Sequence, residues 1–98
     1  KDRVDNEGNL YCYFEAPSKL SYIAGRVLED SKYKYIVCRS NFSQNKDLKF
    51  SLRSSGGRYD VSKVAQSWGG NGHEESAGVH LTDFEIFTNI RNGKTHLV

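Results

Sequence analysis

Residues 9–15, "NLYCYFE", alternate Leu10, Cys12 and Phe14 with Tyr11, Tyr13 and Glu15, which is the two-residue period of a strand with one side turned to a core. The next stretch, "APSKLSYIAGRVLEDS", changes period. Leu20, Ile23, Ala24, Val27 and Leu28 fall at helical spacing, with Pro17 suited to a first turn and Ser18 placed to cap it. "YKYIVCRS" (33–40) is rich in β-branched and aromatic residues. "DLKFSLRS" (47–54) alternates Leu48, Phe50 and Leu52 inward with Lys49, Ser51 and Arg53 outward. The polar "NFSQNK" between them has the composition of a hairpin loop, so the two strands are expected to be adjacent and antiparallel.

"SSGGR" breaks the chain, and "YDVSKVAQSW" restarts it as a helix with Val61, Val64, Ala65 and Trp68 on one face and Asp60 as its cap. After a glycine-rich stretch, "GVHLT" reads as a short strand. The tail "DFEIFTNIRNGKTHLV" fits a short helix through Phe84, Phe87 and Ile90 and a strand through Phe84 and Ile86. Strands interleaved with two amphipathic helices imply an α/β fold, a small mixed sheet flanked by at least two helices. A chain of 98 residues has room for one domain, taken as residues 1–98.

Composition narrows the class of protein. No apolar run approaches the roughly 20 residues of a membrane span, and the amino terminus lacks the order of a signal peptide, so the expected setting is cytoplasmic, with no membrane partner. Cys12 and Cys38 lie in expected strands without metal-ligand spacing and read as buried free thiols. The chain contains no methionine, which suits a piece of a longer protein. The net charge is +2, but residues 32–63 hold eight basic side chains against Asp47 and Asp60, +6 locally. That segment is either a set of solvated strand faces or a surface for a polyanion.

The chemistry concentrates in "SWGGNGHEESAG", residues 67–78. Glycines let backbone approach backbone or ligand closely, and successive amides after a helix can converge on an anion. His73 would add a directed donor. The run equally suits a helix stop followed by a turn into the next strand. It matches neither the P-loop, which needs a GK[ST] ending, nor the dinucleotide fingerprint, which follows a strand rather than a helix. Spacing leaves both readings open.

"SLRSSGGRYDVSKVAQSWGGNGHEESAGVHL" resembles the signature of the DHH-associated carboxy-terminal domain of DHH-family phosphoesterases. Three elements of that signature match in order: Ser51-Leu52-Arg53-Ser54, then Asp60-Val61-Ser62 through Ala65, then Gly69-Gly70-Asn71-Gly72-His73 with Ala77-Gly78. The resemblance is clearest over residues 15–82. Asn71 stands where the family has glycine and Ser76 where it has the first alanine, which bears on ligand preference more than on fold.

The resemblance implies a substrate-recognition domain. The family's RecJ-type exonucleases, oligoribonucleases and cyclic dinucleotide phosphodiesterases hydrolyse phosphoesters with two manganese ions held in an upstream DHH domain. His73, His80 and His96 are this chain's only histidines, and no carboxylate cluster stands at ligand spacing, so the chain alone is expected to hold no metal, cofactor or catalytic residue. Carried over, Gly69, Gly70, Asn71, Gly72 and His73 would cradle a phosphate and Arg53 would pair with it. The expected partners are a nucleotide or single-stranded nucleic acid and the DHH domain. A stand-alone nucleotide-binding module and a structural or oligomerising domain remain as alternatives. Trp68 and the tyrosines of "YCYF" and "YKYIV" read as core or as base-stacking platforms, His80 as a strand-face residue and His96 as uninvolved.

Overall fold

The computed structural model describes residues 1–15, 20–40, 48–93 and 97, so Pro17, Ser18 and the loop 41–46 lie outside the described residues. Among the described residues six strands and three helices follow one another as β1 (Asp2–Val4), β2 (Leu10–Glu15), α1 (Leu20–Leu28), β3 (Tyr35–Ser40), β4 (Leu48–Arg53), α2 (Val61–Ser67), β5 (Asn71–Gly72), β6 (Ser76–Leu81) and α3 (Asp83–Arg91). They build one mixed sheet in the order β1-β2-β3-β4-β6-β5. Only β2 and β3 pair in parallel, because α1 carries the chain back between them; every other pairing is antiparallel.

Strand alternation divides the core in two. On one face Tyr11, Tyr35, Val37, Phe50, Leu52, Val79 and Leu81 pack against Val61, Val64, Ala65 and Trp68 from α2. On the other, Cys12, Ile36 and Cys38 pack against Ala24 and Leu28 from α1. Asp60 caps α2 as expected, its carboxylate accepting from the Ser62 N–H. The ambiguous tail is helical over Asp83–Arg91, where Thr82 and Glu85 form a reciprocal capping box at the start.

Two strands escaped the sequence pattern. β1 is three residues long with Val4 exposed, too short to show a period. It is held by the turn after it, where the buried Asp5 carboxylate accepts from the N–H groups of Glu7 and Asn9 and from the Tyr35 hydroxyl at 2.8 Å. β5 lies inside the glycine stretch, and β6 begins at Ser76, two residues before the expected "GVHLT".

Candidate functional site

Helix α1 covers β2 and β3 but stops short of β4. Among the described residues no helix covers the same face of β4, β6 and β5. Residues directly opposite one another share a face, so the pairs Lys49↔His80, Ser51↔Gly78 and Arg53↔Ser76, extended by Asn71↔Gly78, define what this open area carries. Ser51 and Gly78 form a floor of small residues. Lys49, His80, Asn71 and Ser76 stand exposed around it, and Arg53 is half-buried.

Ser51 lies on the outward side of β4 as its alternation implies, yet it is only 8% exposed. Arg53 likewise does not wave into solvent. Its Nη1 donates to the carbonyls of Leu52 at 2.9 Å and Ala77 at 3.3 Å, tying the guanidinium to the β4–β6 seam. Burial holds its pKa below the ordinary arginine value, yet it stays cationic at any physiological pH.

The glycine stretch forms the outer edge. After Trp68 caps α2, Gly69 turns left-handed (φ 86°) and the Gly70 N–H donates to Ala65 O at 2.7 Å. Gly70 then presses onto β6 so closely that a β-carbon there would stand 2.3 Å from Gly78 O and 2.7 Å from Val79 Cγ2. At Gly72 a β-carbon would stand 2.3 Å from Ala77 Cα. The chain reverses through Glu74 and Glu75, with His73 N–H donating to Ser76 O at 2.7 Å. The tip is pinned twice more, by Ser54 N–H to Glu75 O and by Val61 N–H to Glu74 O.

His73 is therefore an exposed side chain on a rigid hairpin. It lies across β6 from Arg53, since Ser76 both pairs with Arg53 and closes the His73 turn. The structure brings Arg53, Asn71 and His73 around one strand. It does not offer the expected ring of free amides: those of Gly69, Gly70 and His73 donate to carbonyls, and that of Gly72 donates to Asn71 Oδ1. The glycines supply close approach, leaving side chains to meet a ligand.

The remaining expectations divide cleanly. Trp68 is core, 2% exposed, and its Nε1 meets no acceptor among the described residues. Tyr11 and Tyr35 stack on one another at 4.7 Å rather than presenting rings to solvent. Cys12 and Cys38 are buried and not joined in a disulfide. His80 is an exposed face residue beside Lys49, and His96 lies outside the described residues. Among the described residues no three His, Cys, Asp or Glu side chains gather at a point that could hold a metal. No described helix is long and apolar enough to cross a membrane.

Fold and face together define a small α/β module whose sheet is sheathed on one side and half open on the other. The chain belongs to the DHHA1 domain family, whose model matches residues 9–92, and this is the domain type associated with DHH-family phosphoesterases. It is 34% identical over 77 residues to the uncharacterised protein R106 of Acanthamoeba polyphaga mimivirus, a match covering 78% of this chain and 18% of that protein. An uncharacterised protein of Helicobacter pylori G27 shares the fold, with a TM-score of 0.66 at 18% identity over 93% of this chain and 25% of its own. So does the pGpG-specific phosphodiesterase PggH of Vibrio cholerae, with a TM-score of 0.58 at 10% identity over 93% of this chain and 33% of the enzyme. The C-Ala domain of alanyl-tRNA synthetase from Aquifex aeolicus superposes with a TM-score of 0.59 at 16% identity, covering 94% of this chain and 96% of that domain. The chain thus spans a third or less of the viral protein, the Helicobacter protein and the phosphodiesterase.

Proposed function

We propose that this chain is the substrate-recognition domain of a DHH-type phosphoesterase and holds a phosphate of a nucleotide or single-stranded nucleic acid on the open face of β4–β6. The observation that carries this reading is the register Arg53↔Ser76, which sets a backbone-anchored guanidinium and the His73 hairpin on either side of one strand. A guanidinium offers a planar fork to phosphate oxygens, and its partial burial strengthens that pairing relative to one in bulk water. His73 and the Asn71 amide add directed donors, and Gly69, Gly70 and Gly72 let the hairpin approach without a β-carbon in the way.

The role of this chain is to bind and orient. Hydrolysis, with the manganese ions, belongs on this reading to a DHH domain elsewhere in the parent protein, of exonuclease or related phosphoesterase type. Two buried cysteines not joined in a disulfide suit a reducing cytoplasm. The test is calorimetric titration of the chain with a mononucleotide at two salt concentrations. Binding that weakens with salt and drops about tenfold or more in Arg53→Ala supports the reading, since charge-assisted bonds contribute about 1.5–3 kcal/mol. Affinity unchanged in Arg53→Ala and His73→Ala sinks it. A structural role is the second reading, favoured by one observation: Gly70 and Gly72 are required for packing against β6 whether or not a ligand binds.

A further inference from the structure

A cavity of about 420 Å³ opens between α1 and the end of β4, within the range of small-molecule sites. Its helix wall is Ala24, Gly25 and Leu28, with Glu29 at the end, and its opposite wall is Arg53, Ser55 and Arg58. Arg53 thus borders this cavity as well as the open face.

The "SSGGR" break builds the opposite wall. Gly56 and Gly57 take consecutive left-handed conformations (φ 63° and 69°), and the Arg58 N–H returns to Ser55 O at 3.2 Å, a tight reversal open to few other residue pairs. Arg58 is then fixed by a bond from Nη1 to Tyr33 O at 3.1 Å. Two anchored guanidiniums therefore share one cavity with a single carboxylate, Glu29. The helix wall is apolar, and at Gly25 a β-carbon would meet nothing within 4 Å, so the wall is recessed there over open space. Glycine in mid-helix ordinarily weakens the helix, and neither packing nor a positive φ requires it here.

We infer that this cavity is a nucleoside subsite: a base lies against the Ala24–Gly25–Leu28 wall while its phosphate sits between Arg53 and Arg58. A recessed apolar wall facing cations matches a flat ring joined to an anion. Glu29 can accept from a base amino group or a sugar hydroxyl. The inference rests on the phosphate reading of Arg53 and adds a direction to it, with the base pointing toward α1 rather than over the Ser51–Gly78 floor.

The test compares a nucleoside monophosphate with inorganic phosphate on wild type, Gly25→Leu, Arg58→Ala and Arg53→Ala. Leucine is a good helix former and has open space at position 25, so Gly25→Leu should fold with an unchanged or higher melting temperature while filling the cavity. The expected result is a nucleotide binding about tenfold or more tighter than phosphate, an advantage lost in Gly25→Leu and reduced in Arg58→Ala, with phosphate binding to Gly25→Leu unchanged. A nucleotide advantage that survives Gly25→Leu, or no advantage in wild type, overturns the nucleoside subsite and leaves the phosphate site standing. Indifference of both ligands to Arg53→Ala overturns both.

Discussion

Replacing Gly70 by alanine tests the packing on which the candidate site is built. The added β-carbon would stand 2.3 Å from Gly78 O, 2.7 Å from Val79 Cγ2 and 3.0 Å from Val79 Cα. Ordinary contact begins near 3.4 Å, so hairpin and strand must part by about 1 Å. The neighbours have little room to yield, because Val79 is 1% exposed and the β6 backbone is bonded to β4 and β5. Overpacking of this kind costs about 1–3 kcal/mol, and the lower chain entropy of unfolded alanine returns about 0.4–1 kcal/mol. A net loss of about 1–2 kcal/mol is expected, a fall of roughly 4–16 °C in melting temperature for a domain of this size. Urea and thermal unfolding monitored by circular dichroism measure it, with Gly25→Ala as the control: its β-carbon meets nothing, and it should gain up to about 1 kcal/mol. A Gly70→Ala protein as stable as wild type would refute the close approach, and with it the rigid placement of His73.

Other consequences follow from named contacts. Burial by itself pushes the Asp5 carboxyl up, but bonds from Asn9, Tyr35 and Glu7 outweigh it and hold the pKa below the ordinary 3.8. The stabilisation is therefore present above about pH 4 and is lost as pH falls through the native pKa. Asp5→Asn should cost about 1–3 kcal/mol at pH 7, by replacing a carboxylate acceptor with an amide donor and so orphaning donors among the Tyr35 hydroxyl and the Asn9 and Glu7 N–H groups, and should flatten the acid limb of a stability–pH curve. Thr82→Ala removes half of the capping box of α3 and should cost about 0.5–2 kcal/mol in urea unfolding. Arg53→Lys keeps the charge but loses the planar group that can offer donors to phosphate while Nη1 stays tied to the Leu52 and Ala77 carbonyls, so nucleotide affinity should fall nearly as far as in Arg53→Ala; full retention in a titration would show that charge alone suffices.

Where a segment is half-buried, its pattern was legible. The stripe Val61, Val64, Ala65 and Trp68 and the Asp60 cap appear as the sequence implies, whereas in β2 the expected one-sided core is replaced by burial of both faces, Tyr11 and Tyr13 toward α2 and Cys12 toward α1. The α3 helix was also within reach through Thr82 and Glu85, a capping-box spacing that apolar periodicity alone does not reveal. β1 and β5 were not, because three and two residues carry no period and their strand character comes from their partners. The burial of Ser51 and the anchoring of Arg53 depend on which strand lies beside β4, and that neighbour, β6, is 23 or more residues further along the chain. Arg58 was hidden for the same reason. "SSGGR" announces a turn, but only the fold places that turn opposite α1.

The central claim is that Arg53 and the His73 hairpin hold a ligand phosphate on the open face of the sheet. Amide chemical-shift mapping of the chain with a mononucleotide, repeated on Arg53→Ala and His73→Ala, tests it most directly. Shifts that include residues 51–54 and 69–78, with or without the α1 wall at residues 24–29, and that weaken in both variants, are the expected result. Shifts confined to other surfaces, or none at millimolar nucleotide, would contradict it.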